Sequence, residues 1–257
     1  MPPESKVEVK KSDRLISLDA FRGITMILLV SHGFGLAHLQ DLEFWNGLAV
    51  QFTHAEWEGL HFWDLVQPFF MFIVGVAMPY SLTKRQHLGQ SDKEIFGHVV
   101  KRSLLLIFLG VVILSRHSLM EGHPYFVNVL TQIGFTYFLT FLILRKPLRM
   151  QIGISLGILV IYDLAYRFIP LPYEAGPWVQ AENLGSHLDM LMGFQFSEGG
   201  WVTLNAVSTA AHSMWGAIAG RVLMSDRNEK QKLVFLIAAG RITLIGGYAL
   251  EPLIPII

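Results

Sequence analysis

Cysteine is absent from the 257 residues. That excludes disulfide frameworks, thiolate metal sites and a cysteine nucleophile, and leaves the redox compartment open. Charge is scarce: 16% of residues are Asp, Glu, Lys or Arg, against about 25% in a soluble domain. So thin a polar coat in an apolar chain excludes a disordered protein and argues against an ordinary cytosolic globule. Neither sign prevails, because Lys+Arg and Asp+Glu stand at 20 each. Without net basic charge the chain lacks the electrostatic footprint of a nucleic-acid binder. Repeats, low-complexity tracts and long linkers are missing as well.

What fills the chain is apolar: 52% of residues are hydrophobic and the mean hydropathy is +0.45. These residues gather in blocks of the ~17–25 residues needed to cross a bilayer. Seven are read, at 17–36, 62–82, 99–119, 126–144, 150–168, 202–223 and 233–250. At ~20 residues each they fill a little over half the chain and leave little for a soluble domain. The expected fold is an all-α, polytopic membrane helix bundle with about seven transmembrane helices. The first block is no cleavable signal, since Asp19 and Arg22 interrupt it and no small-x-small site follows.

The connections alternate in charge. The N-terminal tail holds Lys6, Lys10, Lys11 and Arg14, and the second connection Lys84, Arg85, Lys93, Lys101 and Arg102. The fourth carries Arg145, Lys146 and Arg149, and the sixth Arg221, Arg227, Lys230 and Lys232. The first connection (37–61) has no Lys or Arg but has Asp41, Glu43, Glu56 and Glu58. The third has only Arg116, and the fifth (169–201) has none, carrying Glu174, Glu182, Asp189 and Glu198. By the positive-inside rule the N-terminus is cytoplasmic and the odd connections face outward.

Ionisable groups within spans are costly and face a cavity or a partner. Asp19 and Arg22, three apart, suit an intrahelical ion pair. Asp163 and Arg167, at i and i+4, suit another. Ser31 and His32 approach the outer end of the first span. From Thr53 to Asp64 the chain places His54, His61, Glu56, Glu58 and Asp64 at the outer membrane surface. Asp64 then begins a helical row with Gln67, Pro68, Met71 and Gly75. A carboxylate beside an imidazole tunes it for proton transfer or nucleophilic attack; a solvated acidic loop under an aromatic belt fits the same residues. In the sixth block Asn205, Ser208, Thr209, His212 and Gly216 form one polar, small face, and Asn128, Gln132, Thr136 and Thr140 form a milder one in the fourth. Such faces glue helices together or line a hydrated passage. No constellation has metal-ligand spacing, so no metal is expected. These features alone leave a transporter and a membrane-embedded enzyme both open.

Several strings resemble the heparan-alpha-glucosaminide N-acetyltransferase family and its bacterial relatives among the transmembrane acyltransferases. Arg14-Leu15-Ile16-Ser17-Leu18-Asp19-Ala20-Phe21-Arg22-Gly23 looks like that family's R-x-x-S-x-D-x-F-R-G entrance. His54-Ala55-Glu56-Trp57-Glu58-Gly59, then Asp64-Leu65-Val66 and Pro68 through Gly75, resembles its H-A-x-W-x-G … D-L-V-x-P-x-F-x-F-I-x-G block. Weaker matches are Val129-Leu130-Thr131-Gln132-Ile133, Glu182-Asn183-Leu184 with Asp189, and Glu198-Gly199-Gly200 leading to Gly216 and Gly220. The chain departs from the family at Ser31-His32-Gly33, where members often carry Asn. It also stops at Ile257, whereas the family has further C-terminal helices. With the N-terminus cytoplasmic by charge, a tail is expected over 1–13, and the resemblance implies a C-terminally truncated transmembrane acyltransferase domain over 14–257. If part of the donor site lies in those further helices, this chain alone is inactive.

The same resemblance implies transfer of an acetyl group from cytoplasmic acetyl-CoA to an amino or hydroxyl group of an extracytoplasmic saccharide, in a bacterial inner membrane. It puts the catalytic histidine on His54 and its aspartate partner on Asp64. His61 is expected as a second proton shuttle. Asp19 and Arg22 are expected to shape a cytoplasmic mouth, and Asn205, Thr209 and His212 to line the passage. The alternatives are a transporter or flippase for a saccharide or lipid-linked solute, or a non-catalytic membrane protein. Homo-oligomerisation stays open.

Overall fold

The structure, a computed structural model, describes residues 15–122, 125–174, 176–197 and 199–256. The expected tail over 1–13, Arg14, Glu198 and Ile257 lie outside the described residues, as do the side chains of His32 and Arg116. All regular structure among the described residues is helical. In chain order the α-helices are α1 (Ile16–Val30), α2 (Asn46–Ala49), α3 (Val66–His87), α4 (Asp92–Glu121), α5 (Val129–Leu144), α6 (Leu148–Phe168), α7 (Leu184–Leu191), α8 (Asn205–Ser208), α9 (Ala210–Met224) and α10 (Glu229–Leu250).

Each apolar block carries a helix, but not all are of spanning length. Four segments, Phe62–His87, Asp92–Ser115, Leu148–Phe168 and Glu229–Leu250, are long and apolar enough to cross a membrane. This is an integral membrane helix bundle. Helices α1, α5 and α9 have 15, 16 and 15 residues, short of the ~20 that a hydrocarbon core requires. Their ends explain the shortfall. After α1 the chain tightens into a 3-10 turn, Ser31–Phe34, while its apolar sequence runs on. Asn128 caps the start of α5 through its side chain, and Pro147 ends the run beyond it. The polar face expected in the sixth block divides at Thr209 between α8 and α9.

Small residues set the packing, because apolar burial does not drive helices together in lipid and close backbone approach does. A Cβ on Gly75 of α3 would strike the Ser213 carbonyl of α9, and one on Gly216 or Gly220 would strike the Phe72 or Val76 carbonyl. The Ser213 hydroxyl donates to the Met71 carbonyl at 3.1 Å across this seam. Helices α4 and α5 meet likewise, with Gly134 against the Ser103 carbonyl. Trp215 ties α9 to α6 by donating to Ser155 Oγ at 3.0 Å. Helix α10 is peripheral, with no buried residue.

The connections sort into two ends. At one, Arg145 of the fourth pairs with Asp92 of the second at 2.6 Å, and Arg221 donates to the Leu144 and Lys146 carbonyls. At the other, Trp57 Nε1 of the first connection donates to the Trp178 carbonyl of the fifth at 3.0 Å. There too the Gln195 N–H donates to Gly122 at 2.7 Å, joining the fifth connection to the third. The base-rich connections thus share one end and the acid-rich ones the other, as their charges predict.

Candidate functional site

Asp64 organises the acid-rich end. It sits in a 3-10 turn, Phe62–Leu65, that opens α3. Its Oδ2 accepts the His61 N–H at 2.8 Å and the Ala55 N–H at 3.3 Å. These bonds fold the chain between them back on itself, and His61 completes the hairpin by donating from Nδ1 to the Thr53 carbonyl at 3.0 Å. His54 then falls opposite the free carboxylate oxygen, with Nδ1 2.6 Å from Asp64 Oδ1. Trp57, pinned to Trp178, lies over Gly200, whose φ of +72° and missing Cβ make room for the ring.

His54 is 50% exposed and Asp64 22%, so the imidazole is the member of the pair that solutes reach. Two tryptophans flank it. The Trp63 indole N–H donates to His54 Nε2 at 3.0 Å, and the Trp201 ring stands edge-on at 5.3 Å between centroids. A carboxylate-backed imidazole open to one side can accept a proton or attack a carbonyl.

Beneath the pair runs a polar belt. Gln67, one turn on from Asp64, donates to Gln132 of α5, which Thr209 Oγ1 also approaches at 3.5 Å. Thr209 donates to the Asn205 carbonyl at 2.8 Å. The Tyr162 hydroxyl of α6 bridges Asn205 Oδ1 and the Tyr166 hydroxyl, each at 2.9 Å. The structure therefore joins Asn205 and Thr209, while His212 stands edge-on to Trp215 on the next turn of α9. Asp19 and Arg22 pair with each other at 3.3 Å on the exposed flank of α1. Phe21 beside them packs on Phe69 near the head of α3, at 5.2 Å. Asp163 and Arg167 pair at 2.9 Å, as their spacing predicts.

At the base-rich end a cavity of about 420 Å³ opens between α3, α5 and α9, with Arg145 and Arg221 in its lining. Asp19 and Arg22 are not among its lining residues. No group of three His, Cys, Asp or Glu among the described residues could hold a metal ion. Neither Trp63 nor Trp201 stood out in the sequence as a site residue. Trp63 had one usable signal, its place beside Asp64 in a turn too short to carry it away from His54.

Asp189 buttresses the acid-rich end from α7. It is 3% exposed and accepts the Thr203 N–H at 3.0 Å; burial pushes its carboxyl above the ordinary carboxylate value. A raised folded-state value stabilises fully below the unfolded value of 3.8 and is lost as pH rises through the folded value. Asp189→Asn keeps an acceptor for Thr203 without the buried charge. It is expected to raise the thermal midpoint at neutral pH and to flatten its fall on going from mildly acid to neutral buffer. Parallel unfolding curves for the two proteins across that range would count against it.

A family model described as a domain of unknown function (DUF5009) matches residues 14–175, a stretch that contains His54 and Asp64. The chain is 33% identical over 131 residues to the heparan-alpha-glucosaminide N-acetyltransferase of Mus musculus. It is 35% identical over 129 residues to the protein of the same name from Homo sapiens. Each match covers 49% of this chain and 18% of the relative, so the matched part is about a fifth of those proteins.

Proposed function

The chain belongs to the DUF5009 family, and from that membership and its likeness to two N-acetyltransferases we propose that it is a membrane-embedded acyltransferase. It moves an acetyl group from cytoplasmic acetyl-CoA to an amino or hydroxyl group of an extracytoplasmic saccharide. The observation that carries this reading is the half-exposed His54 imidazole held 2.6 Å from Asp64. His54 takes the proton of the acceptor N–H or O–H while the acceptor atom bonds to the thioester carbonyl carbon. The C–S bond breaks, the thiolate leaves, and the imidazolium returns the proton to it. Asp64 stabilises the imidazolium and orients the ring. In the two-step variant His54 carries the acetyl group transiently.

On this reading seven helices cross a bacterial inner membrane, with α1, α5 and α9 as the short ones. The N-terminus and the base-rich end face the cytoplasm and the His54 loop faces outward, in keeping with the charge alternation. The polar belt through Gln67, Gln132, Thr209 and Asn205 lines the way to His54. Arg145 and Arg221 offer cations to the anionic donor at the opposite mouth.

The test is donor consumption by the full-length protein in proteoliposomes. Release of free thiol from acetyl-CoA is expected only when an amino-sugar oligosaccharide is present on the His54 side. A transporter makes and breaks no bond, so solute movement without thiol release sinks this proposal.

A further inference from the structure

We propose that Trp63 is a positioning residue of the transfer site: its indole N–H selects the His54 tautomer and covers the reacting nitrogen until an acceptor displaces it. The inference rests on the acyl-transfer reading above and adds a residue to it.

Donor chemistry decides the tautomer. An indole N–H only donates and an ionised carboxylate only accepts. Trp63 Nε1 lies 3.0 Å from His54 Nε2, so Nε2 presents its lone pair there. Asp64 Oδ1 lies 2.6 Å from Nδ1, so Nδ1 carries the hydrogen. Both contacts ask for one and the same neutral imidazole, with Nδ1–H against the carboxylate and a bare Nε2.

Trp63 is anchored on its apolar side. It is buried in a cluster with Leu28 and Val66, and it occupies the same turn as Asp64. One rigid turn therefore holds both hydrogen-bond partners of the imidazole, and α1 backs the indole through Leu28. Their rings meet edge-on, 6.0 Å apart and 77° between planes.

The arrangement has a consequence for the reaction. The lone pair that must take the acceptor's proton is already engaged. The acceptor N–H or O–H has to replace the indole N–H at Nε2, from the side that leaves His54 half exposed. A neutral hydrogen bond in such an exchange is worth a factor of about 2–10. Only a group that itself donates at that position recovers it, so the site disfavours attack by solutes without a donor.

The experiment reads the imidazole directly. In 15N-labelled full-length protein in nanodiscs, His54 is expected to show a protonated Nδ1 and an unprotonated Nε2. In Trp63→Phe, which keeps an aromatic ring in the cluster, diethyl pyrocarbonate is expected to modify His54 about 2–10-fold faster, scored residue by residue by mass spectrometry. A wild-type Nε2–H tautomer overturns the proposal even if the variant fails to fold, and so does an unchanged modification rate in folded Trp63→Phe. Neither readout needs turnover. Saccharide-dependent thiol release with unchanged His54 reactivity removes Trp63 alone, whereas both readouts as expected without thiol release removes the acyltransferase reading.

Discussion

His54→Ala is expected to lower saccharide-dependent acyl transfer by about 10²–10⁴-fold, the range that a positioned general base or acid supplies. The fold should survive the change. His54 lies in an irregular, half-exposed stretch ahead of α3, and Asp64 keeps its bonds from the Ala55 and His61 N–H groups when the imidazole is gone. Helix content and thermal midpoint therefore act as controls, and the loss should fall on kcat. Asp64→Asn probes the other half of the pair. Its amide must turn an NH2 either toward His54 Nδ1–H or toward the two backbone N–H donors, so one donor always meets another. A loss of about 10²-fold is expected there. Near-normal transfer by His54→Ala, measured as thiol release on folded protein, would move the chemistry away from this loop.

Gly216→Val is expected to destabilise the bundle by roughly 3 kcal/mol or more, beyond the usual 1–3 kcal/mol for an overpacked core. An added Cβ there meets the Phe72 carbonyl, which is backbone and cannot swing aside. The α3–α9 seam has Gly75, Gly216 and Gly220 in the same relation to facing carbonyls, so relief requires the helices to separate. Separation breaks the Ser213–Met71 hydrogen bond and pulls Thr209 from Gln132 under the site. Gly157→Val on α6 is the control, because nothing lies within 4 Å of a Cβ there. Thermal unfolding in detergent separates the two variants. Equal midpoints would show that the seam is looser than its glycines require.

Much of the architecture was legible in local sequence. Apolar blocks marked every long helix, because transfer of a side chain into lipid depends on that residue and its immediate neighbours. Asp163 and Arg167 paired as spaced, since a helix alone sets that geometry. Length and hydropathy together support four of the seven expected spans; α1 is shorter than the apolar block at 17–36 because the backbone tightens at Ser31. His54 and Asp64 stood out because the string around them is specific. Gln67 and Gln132 each stood out on a polar face, yet their pairing joins positions 65 apart and leaves no local trace. The same holds for Trp201, which reaches His54 only when the fifth connection folds over the first.

By itself, then, the sequence determined a helical membrane protein with an acid-rich and a base-rich end, because hydropathy and charge are properties of short stretches. Only the tertiary structure decided which nitrogen of His54 bears the proton and what stands in front of the other. A tautomer is chosen by two hydrogen bonds at once, and here one comes from Asp64 and the other from the indole beside it.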